Sequence, residues 1–153
     1  MRLTDILTPA RIKAPLTADT KRGLIEELLD VMIASGAVTD RERVLQTVLE
    51  RENTRTTGIG GGMAIPHGKC ASITEPTVAI GRAAKPVDFE SIDGKPVWLV
   101  ILLISPVDQT ASHIQALARI SRIMSIDSFR NKLASADAAT MYQLIKDQDA
   151  QNG

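Results

Sequence analysis

The segment Val97-Trp98-Leu99-Val100-Ile101-Leu102-Leu103-Ile104-Ser105 constrains the fold more than any other part of the chain. An apolar run without polar alternation cannot lie in a sheet that has one wet face, so such a strand must be covered on both sides. The run from Val97 to Ile104 is also far short of the roughly 20 residues that span a bilayer. It reads as a central strand, and a chain built around it needs a layer of helices on each face of the sheet.

The flanking sequence supplies those helices. Lys21 to Ser35 places Leu24, Leu28, Val31 and Met32 near one helical face, with Asp19 or Thr20 as a cap and Gly36 just past the end. Asp40 can cap a second helix running to about Glu52, with Val44, Leu45, Val48 and Leu49 inward. Thr54 to Gly62 breaks all periodicity, because Gly58, Gly60, Gly61 and Gly62 favour a loop with unusual backbone angles. Met63 to Pro66 is short, apolar and extended, since Pro66 disfavours the helical region for Ile65. Thr77 to Gly81 reads as a strand and Asp93-Gly94 as a tight turn, which points to a mixed rather than purely parallel sheet. Thr110 can cap a third helix with Ile114, Leu117, Ala118, Ser121 and Met124 inward. Asp127 to Leu133 and Ala138 to Ile145 follow as shorter helices, with fraying expected from about residue 148. The expectation is one layered α/β domain over residues 1–153.

Composition narrows the function. Eighteen basic and eighteen acidic residues cancel, and no block of one sign offers a footprint for nucleic acid or an anionic membrane. The aromatic residues are Trp98, Tyr142, Phe89 and Phe129, too few for a base-stacking surface. Partners should therefore be proteins. Cys70 is the lone cysteine, which excludes an intrachain disulfide and fits a reducing compartment. The opening Met1-Arg2-Leu3-Thr4-Asp5-Ile6-Leu7 reaches Pro9 without the apolar stretch of a signal peptide, so a cytoplasmic location is expected.

Two histidines carry the candidate chemistry. In Ala64-Ile65-Pro66-His67-Gly68-Lys69, Pro66 fixes the chain on one side of His67 and Gly68 frees it on the other. A lone histidine is more often a surface or hydrogen-bonded ring than a catalyst, but this context presents an imidazole rigidly. Imidazole suits reversible phosphoryl transfer, because its neutral nitrogen is a good nucleophile near neutral pH. A phosphoryl group needs partners for its anionic oxygens, and the candidates are Arg51, Arg55, the amides around Gly60 to Gly62, and His113, with Lys69 a weaker one. His113 falls in the first turn of its helix, where the dipole favours an anion; its bland alternative is a polar residue on the helix surface.

Other chemistries fit poorly. Gly58-Ile59-Gly60-Gly61-Gly62-Met63 lacks the third glycine of a dinucleotide fingerprint and the Lys-Ser/Thr of a nucleotide P-loop. His67 and Cys70 have a zinc-compatible spacing, but two histidines and one cysteine fall short of a structural ligand set. Ser112-His113 has no acid to orient it as a triad. Glu26-Glu27 reads as a solvated helix face.

Arg51-Glu52, Thr57-Gly58-Ile59-Gly60 and Ala64-Ile65-Pro66-His67-Gly68-Lys69 closely resemble the IIA proteins of the bacterial phosphoenolpyruvate-dependent phosphotransferase system, in the fructose/mannitol and nitrogen-regulatory group. The resemblance continues through Val87-Asp88-Phe89, Asp93-Gly94-Lys95-Pro96-Val97 and Ser105-Pro106 to His113-Ile114-Gln115-Ala116-Leu117-Ala118, with Ile114 where leucine is the more familiar neighbour. The opening Leu3-Thr4-Asp5-Ile6-Leu7-Thr8-Pro9 looks more like the nitrogen-regulatory branch.

The resemblance implies a three-layer α/β/α sandwich around a mixed β-sheet. It implies that His67 accepts a phosphoryl group, at Nε2, from an HPr-like phosphocarrier, with His113 and Arg51 stabilising it and neither metal nor cofactor required. The protein would then be a phosphotransferase relay that regulates nitrogen, carbon or potassium metabolism through partners such as a sensor kinase or a potassium transport protein. The alternatives are a sugar-specific IIA component that passes phosphate to a IIB domain, or a non-transferring adaptor of the same fold.

Overall fold

A computed structural model describes residues 1–152 of the chain. Its strands are β1 (Ile12–Leu16), β2 (Gly58–Gly60), β3 (Met63–Ala64), β4 (His67–Lys69), β5 (Thr77–Val87) and β6 (Val97–Ser105). Its α-helices are α1 (Lys21–Ala34), α2 (Arg41–Thr54), α3 (Thr110–Met124), α4 (Asp127–Leu133) and α5 (Ala138–Gln151). The sheet order is β1-β5-β6-β3-β2, with β4 also on β6. β5 runs antiparallel to β6, while β3 and β4 run parallel to it, so the sheet is mixed as expected.

β6 organises both cores. Val100, Leu102 and Ile104 join Leu24, Leu28, Val44 and Val48 in the core under α1 and α2. Leu99, Ile101 and Leu103 join Ile120, Ile123, Leu133, Met141 and Ile145 in the core under α3, α4 and α5. Alternate residues of an extended strand point to opposite faces, so the unbroken apolar run is the sum of two interleaved stripes. The result is the three-layer α/β/α arrangement.

Local signals set the helix starts. Thr20 accepts from the Gly23 N–H and Asp40 from the Arg43 N–H, each satisfying one free amide of a first turn. Asp93-Gly94 is a turn: Asp93 accepts from the Lys95 N–H, and Gly94 has φ +73°.

The structure departs from the sequence reading in five places. β1 was not expected; its pattern Ile12-Lys13-Ala14-Pro15-Leu16 contains a proline, and it survives as an edge strand paired with β5 alone. β5 continues past Gly81 to Val87. The glycine segment is a hairpin, in which β2 pairs antiparallel with β3 through a turn at Gly60 to Gly62 with φ of 108°, 67° and 80°. Gly62 is required there, since an added Cβ would lie 2.3 Å from the Trp98 Nε1.

The phase of α3 differs as well. His113, Ala116, Ile120, Ile123 and Met124 face the core, whereas Ile114 is 59% exposed and Ala118 is exposed. The helix is preceded by Gln109 at the cap position, without a side-chain cap bond, so the Thr110 cap is absent. Finally, helical geometry continues past residue 148, where fraying was expected. α5 runs to Gln151 because Arg119 on α3 donates to the Asp149 carboxylate at 2.6 Å and to its backbone carbonyl at 2.7 Å, while Thr4 N–H donates to the same carboxylate at 3.4 Å.

That pair is buried, and removing one partner of a buried ion pair strands the other charge. Asp149→Ala should therefore lower stability by about 3 kcal/mol in urea denaturation; a loss below about 1 kcal/mol would show that the tie is a surface-grade contact.

Candidate functional site

His67 opens β4, which docks on β6 with His67 opposite Leu103. Gly68 sits directly beneath α2, where an added Cβ would be 3.1 Å from the Thr47 methyl, so its lack of a side chain sets how closely α2 approaches β4. By strand alternation His67 faces the opposite side of the sheet, half-buried against α3, where it lines a cleft with Leu117 and Ser121.

A chain of hydrogen bonds fixes the approach to His67. Glu52, buried in the last turn of α2, accepts from the Thr57 N–H at 3.0 Å and the Thr57 hydroxyl at 2.7 Å, and pairs with Lys21 at 3.0 Å. The Thr57 carbonyl accepts from the Ile65 N–H at 3.2 Å. The Ile65 carbonyl in turn lies 2.7 Å from His67 Nδ1. A carbonyl can only accept, so Nδ1 carries the proton and Nε2 presents its lone pair.

His113 faces inward from the first turn of α3, buried, with its ring centroid 5.5 Å from that of His67 and the two planes tilted by 53°. Its Nδ1 lies 2.7 Å from the hydroxyl of Ser105, the fully buried last residue of β6. Among the described residues this imidazole nitrogen is the hydroxyl's one hydrogen-bond partner. If Nδ1 were the donor, the buried hydroxyl hydrogen would be left without an acceptor, at a cost of about 1–3 kcal/mol. The hydroxyl therefore donates to Nδ1, and the His113 proton resides on Nε2. The two rings have complementary tautomers: His67 offers an acceptor and His113 a donor.

Both imidazoles are held neutral. Burial lowers the His67 pKa and the Arg51 guanidinium lowers it further, against the Ile65 carbonyl and Glu52, which raise it. Burial, with smaller repulsions from His67 and Lys69, brings His113 to about 4.

Arg51 and Arg55 line a cleft of about 260 Å³ together with His67, Ile59, Ile92 and Leu117. Arg51 is braced by donating from Nη1 to the Arg55 carbonyl at 3.0 Å. His67, His113 and Arg51 thus converge on one site, with Arg55 on its wall. The amides of Gly60 to Gly62 do not reach it. The turn is placed at Trp98 on β6, five residues before Leu103 and so about 16 Å along the strand, and the Gly61 N–H is taken by the Asp93 carboxylate. Lys69 is turned aside toward the Thr110 hydroxyl, at 3.3 Å.

Sequence reasoning assigned no role to Glu52, Ile65 or Ser105. Glu52 continues the Val44, Val48 series at four-residue spacing, which marks it as an inward-facing carboxylate. Ser105 is the polar end of an otherwise apolar strand. The part played by the Ile65 carbonyl leaves no mark in sequence.

A depressed histidine pKa carries a sign. The folded state prefers the neutral ring, so stability is full above the unfolded value of about 6.5 and is lost as pH falls toward about 4. Because the Ser105 hydroxyl bonds the neutral form of His113, Ser105→Ala should raise the His113 pKa in an NMR titration. An unchanged or lower value would mean that the hydrogen bond runs the other way.

Residues 5–148 match the family model described as "Phosphoenolpyruvate-dependent sugar phosphotransferase system, EIIA 2". A nitrogen regulatory protein from Bradyrhizobium diazoefficiens is 38% identical over 95% of this chain and 95% of its own. A fructose-specific EIIA component from Haloferax volcanii is also 38% identical, over 94% of this chain and 95% of its own. Against the longer fructose-specific EIIABC component of Bacillus subtilis, 36% identical over 90% of this chain, the chain spans 22% of the relative's length. The crystal structure of the nitrogen regulatory protein IIA-Ntr from Neisseria meningitidis superposes with a TM-score of 0.85 at 30% identity, covering 92% of this chain and 97% of that one. With a match across residues 5–148 and relatives aligned over nearly their full length, the chain belongs to the EIIA 2 family of the phosphoenolpyruvate-dependent phosphotransferase system.

Proposed function

We propose that the protein is a regulatory phosphoryl-transfer protein that accepts a phosphoryl group on His67 Nε2 from an HPr-like phosphocarrier. The observation that carries this reading is the Nδ1–Ile65 carbonyl bond of 2.7 Å, which leaves Nε2 unprotonated and directed by the fold. In the transfer, the Nε2 lone pair attacks phosphorus. The new N–P bond forms as the carrier's N–P bond breaks, and the carrier imidazole departs with that electron pair. Arg51 supplies positive charge to the phosphoryl oxygens, and His113 Nε2–H donates a hydrogen bond to them. The rest of the catalysis is positioning, because donor and acceptor are both imidazoles of similar basicity.

The rim of the site suits a protein donor. Ile59 and Ile92, exposed by 46% and 64%, flank the cleft, and Ile114 is exposed one residue after His113. Apolar side chains gathered around a polar centre are the usual mark of a protein contact. No described helix is long and apolar enough to cross a membrane. The regulatory output, through partners such as a sensor kinase or a potassium transport protein, is supported by the likeness to the nitrogen regulatory proteins.

A sugar-specific role is the second reading. The fructose-specific EIIA component of Haloferax volcanii is as similar in sequence as the Bradyrhizobium protein. Incubation with a IIB domain separates the two: transfer of label onward to IIB and then to a sugar supports uptake, and retention of label on this chain supports regulation.

Phosphoenolpyruvate, enzyme I and an HPr-like carrier should label the protein with an acid-labile, base-stable phosphate that is absent in His67→Ala. Labelling of that variant at the wild-type rate would overturn the assignment. His113→Ala, which strips the Ser105 hydroxyl of its acceptor and so loses about 1–3 kcal/mol of stability, should still fold but accept phosphate about 100-fold more slowly, the scale of one lost transition-state donor.

A further inference from the structure

A second cavity shares a wall with the His67 cleft. It has a volume of about 510 Å³ and lies between α1, the end of α2 and the segment after β5. This is within the range of small-molecule sites. Arg55 and Thr56 line both cavities.

The polar groups around this cavity divide into used and unused. Lys21 is committed to Glu52, and the Thr56 hydroxyl donates to the Phe89 carbonyl at 2.6 Å. Among the described residues, the side chains of Arg55, Asn53 and Glu90 have no hydrogen-bond or ion-pair partner. The unused set is therefore one guanidinium, one carboxylate and one amide. The floor beside them includes Ile25 and Leu49.

Glu90 is unusual in its backbone as well. It is the one non-glycine residue with positive φ among the described residues, at +53°, in a turn where its N–H donates to the Asp88 carboxylate at 2.8 Å. Glycine would hold that conformation at lower cost. The Glu90 side chain is exposed at the cavity mouth, and left-handed residues of this kind gather at ligand sites.

We propose that this cavity binds a free α-amino acid. Its carboxylate pairs with Arg55 and its ammonium with Glu90. Asn53 hydrogen-bonds the backbone or a side-chain amide, and the aliphatic part rests on Ile25 and Leu49. A simple anion would leave Glu90 repelled, and a simple cation would leave Arg55 unpaired, so only a zwitterion uses both. Occupancy reaches His67 through Arg55, which lines both cavities. Pairing of its guanidinium with the amino acid takes that positive charge from the wall of the His67 cleft and changes the charge offered to the phosphoryl group. The second half of this proposal rests on the phosphoryl-transfer reading above; the binding half does not.

The test is isothermal titration calorimetry of the full chain with each common amino acid at millimolar concentration, repeated with Glu90→Gln and Glu90→Gly. At least one amino acid should bind wild type. Both variants should weaken it about tenfold or more, as loss of an ion partner in a cleft does. Glu90→Gly should also raise the melting temperature by relieving the left-handed backbone, which separates lost binding from lost folding. No binding by any amino acid, or binding indifferent to Glu90, overturns the site. If an amino acid binds but leaves the rate of His67 labelling unchanged, the link through Arg55 is overturned while the site stands. If it binds and His67 cannot be labelled at all, the phosphoryl reading fails and the amino-acid site stands.

Discussion

Strand β6 is buried on both faces, and every other placement in the molecule follows from that. Val100, Leu102 and Ile104 require α1 and α2, and Leu99, Ile101 and Leu103 require α3, α4 and α5. One edge takes β5. The other takes β3 and then β4, interrupted by Ile65 and Pro66. His67 is held where that second short strand begins, and Ser105 marks where β6 leaves the core. The reactive ring and the hydroxyl that sets its neighbour's tautomer are thus fixed by two strands of one sheet, a more rigid platform than a loop provides.

The electrostatic design follows from the same burial. Burial lowers both imidazole pKa values, helped by Arg51 at His67 and by His67 and Lys69 at His113, whose ring lies 5.5 Å from that of His67. Neutral rings need tautomers, and each tautomer is set by one oxygen: the Ile65 carbonyl for His67 and the Ser105 hydroxyl for His113. The first oxygen is itself anchored through Thr57 to the buried carboxylate of Glu52, with Lys21 balancing its charge. A ring nitrogen with a free lone pair and a hydrogen-bond donor therefore stand side by side, and Arg51 brings positive charge from a third element.

How much of this was legible depended on whether a feature was local. The two-faced strand, the amphipathic helices α1 and α2, the Asp40 cap and the Asp93-Gly94 turn rest on neighbouring residues and could be read directly, while the choice between Asp19 and Thr20 as the α1 cap was settled by the fold in favour of Thr20. The convergence of His67, His113 and Arg51 was expected on family likeness, and the fold brings them together. The inward phase of α3 was partly misread: Leu117 and Met124 do meet the core, but Ile114 and Ala118 are exposed, while a buried histidine and the Arg119–Asp149 pair supply polar members of the true inward face. The same distant pair holds α5 helical to Gln151, where composition alone suggested fraying. β1 was hidden by its proline, and the glycine amides were credited to the site because closeness in sequence was mistaken for closeness along β6.

The central claim is that two neutral imidazoles with opposite tautomers are paired at the site. A long-range proton–nitrogen correlation spectrum of histidine-labelled protein at neutral pH reads each ring separately. The account predicts that His67 carries its proton on Nδ1 and His113 on Nε2. Finding His67 protonated on Nε2, or either ring as an imidazolium, would contradict it.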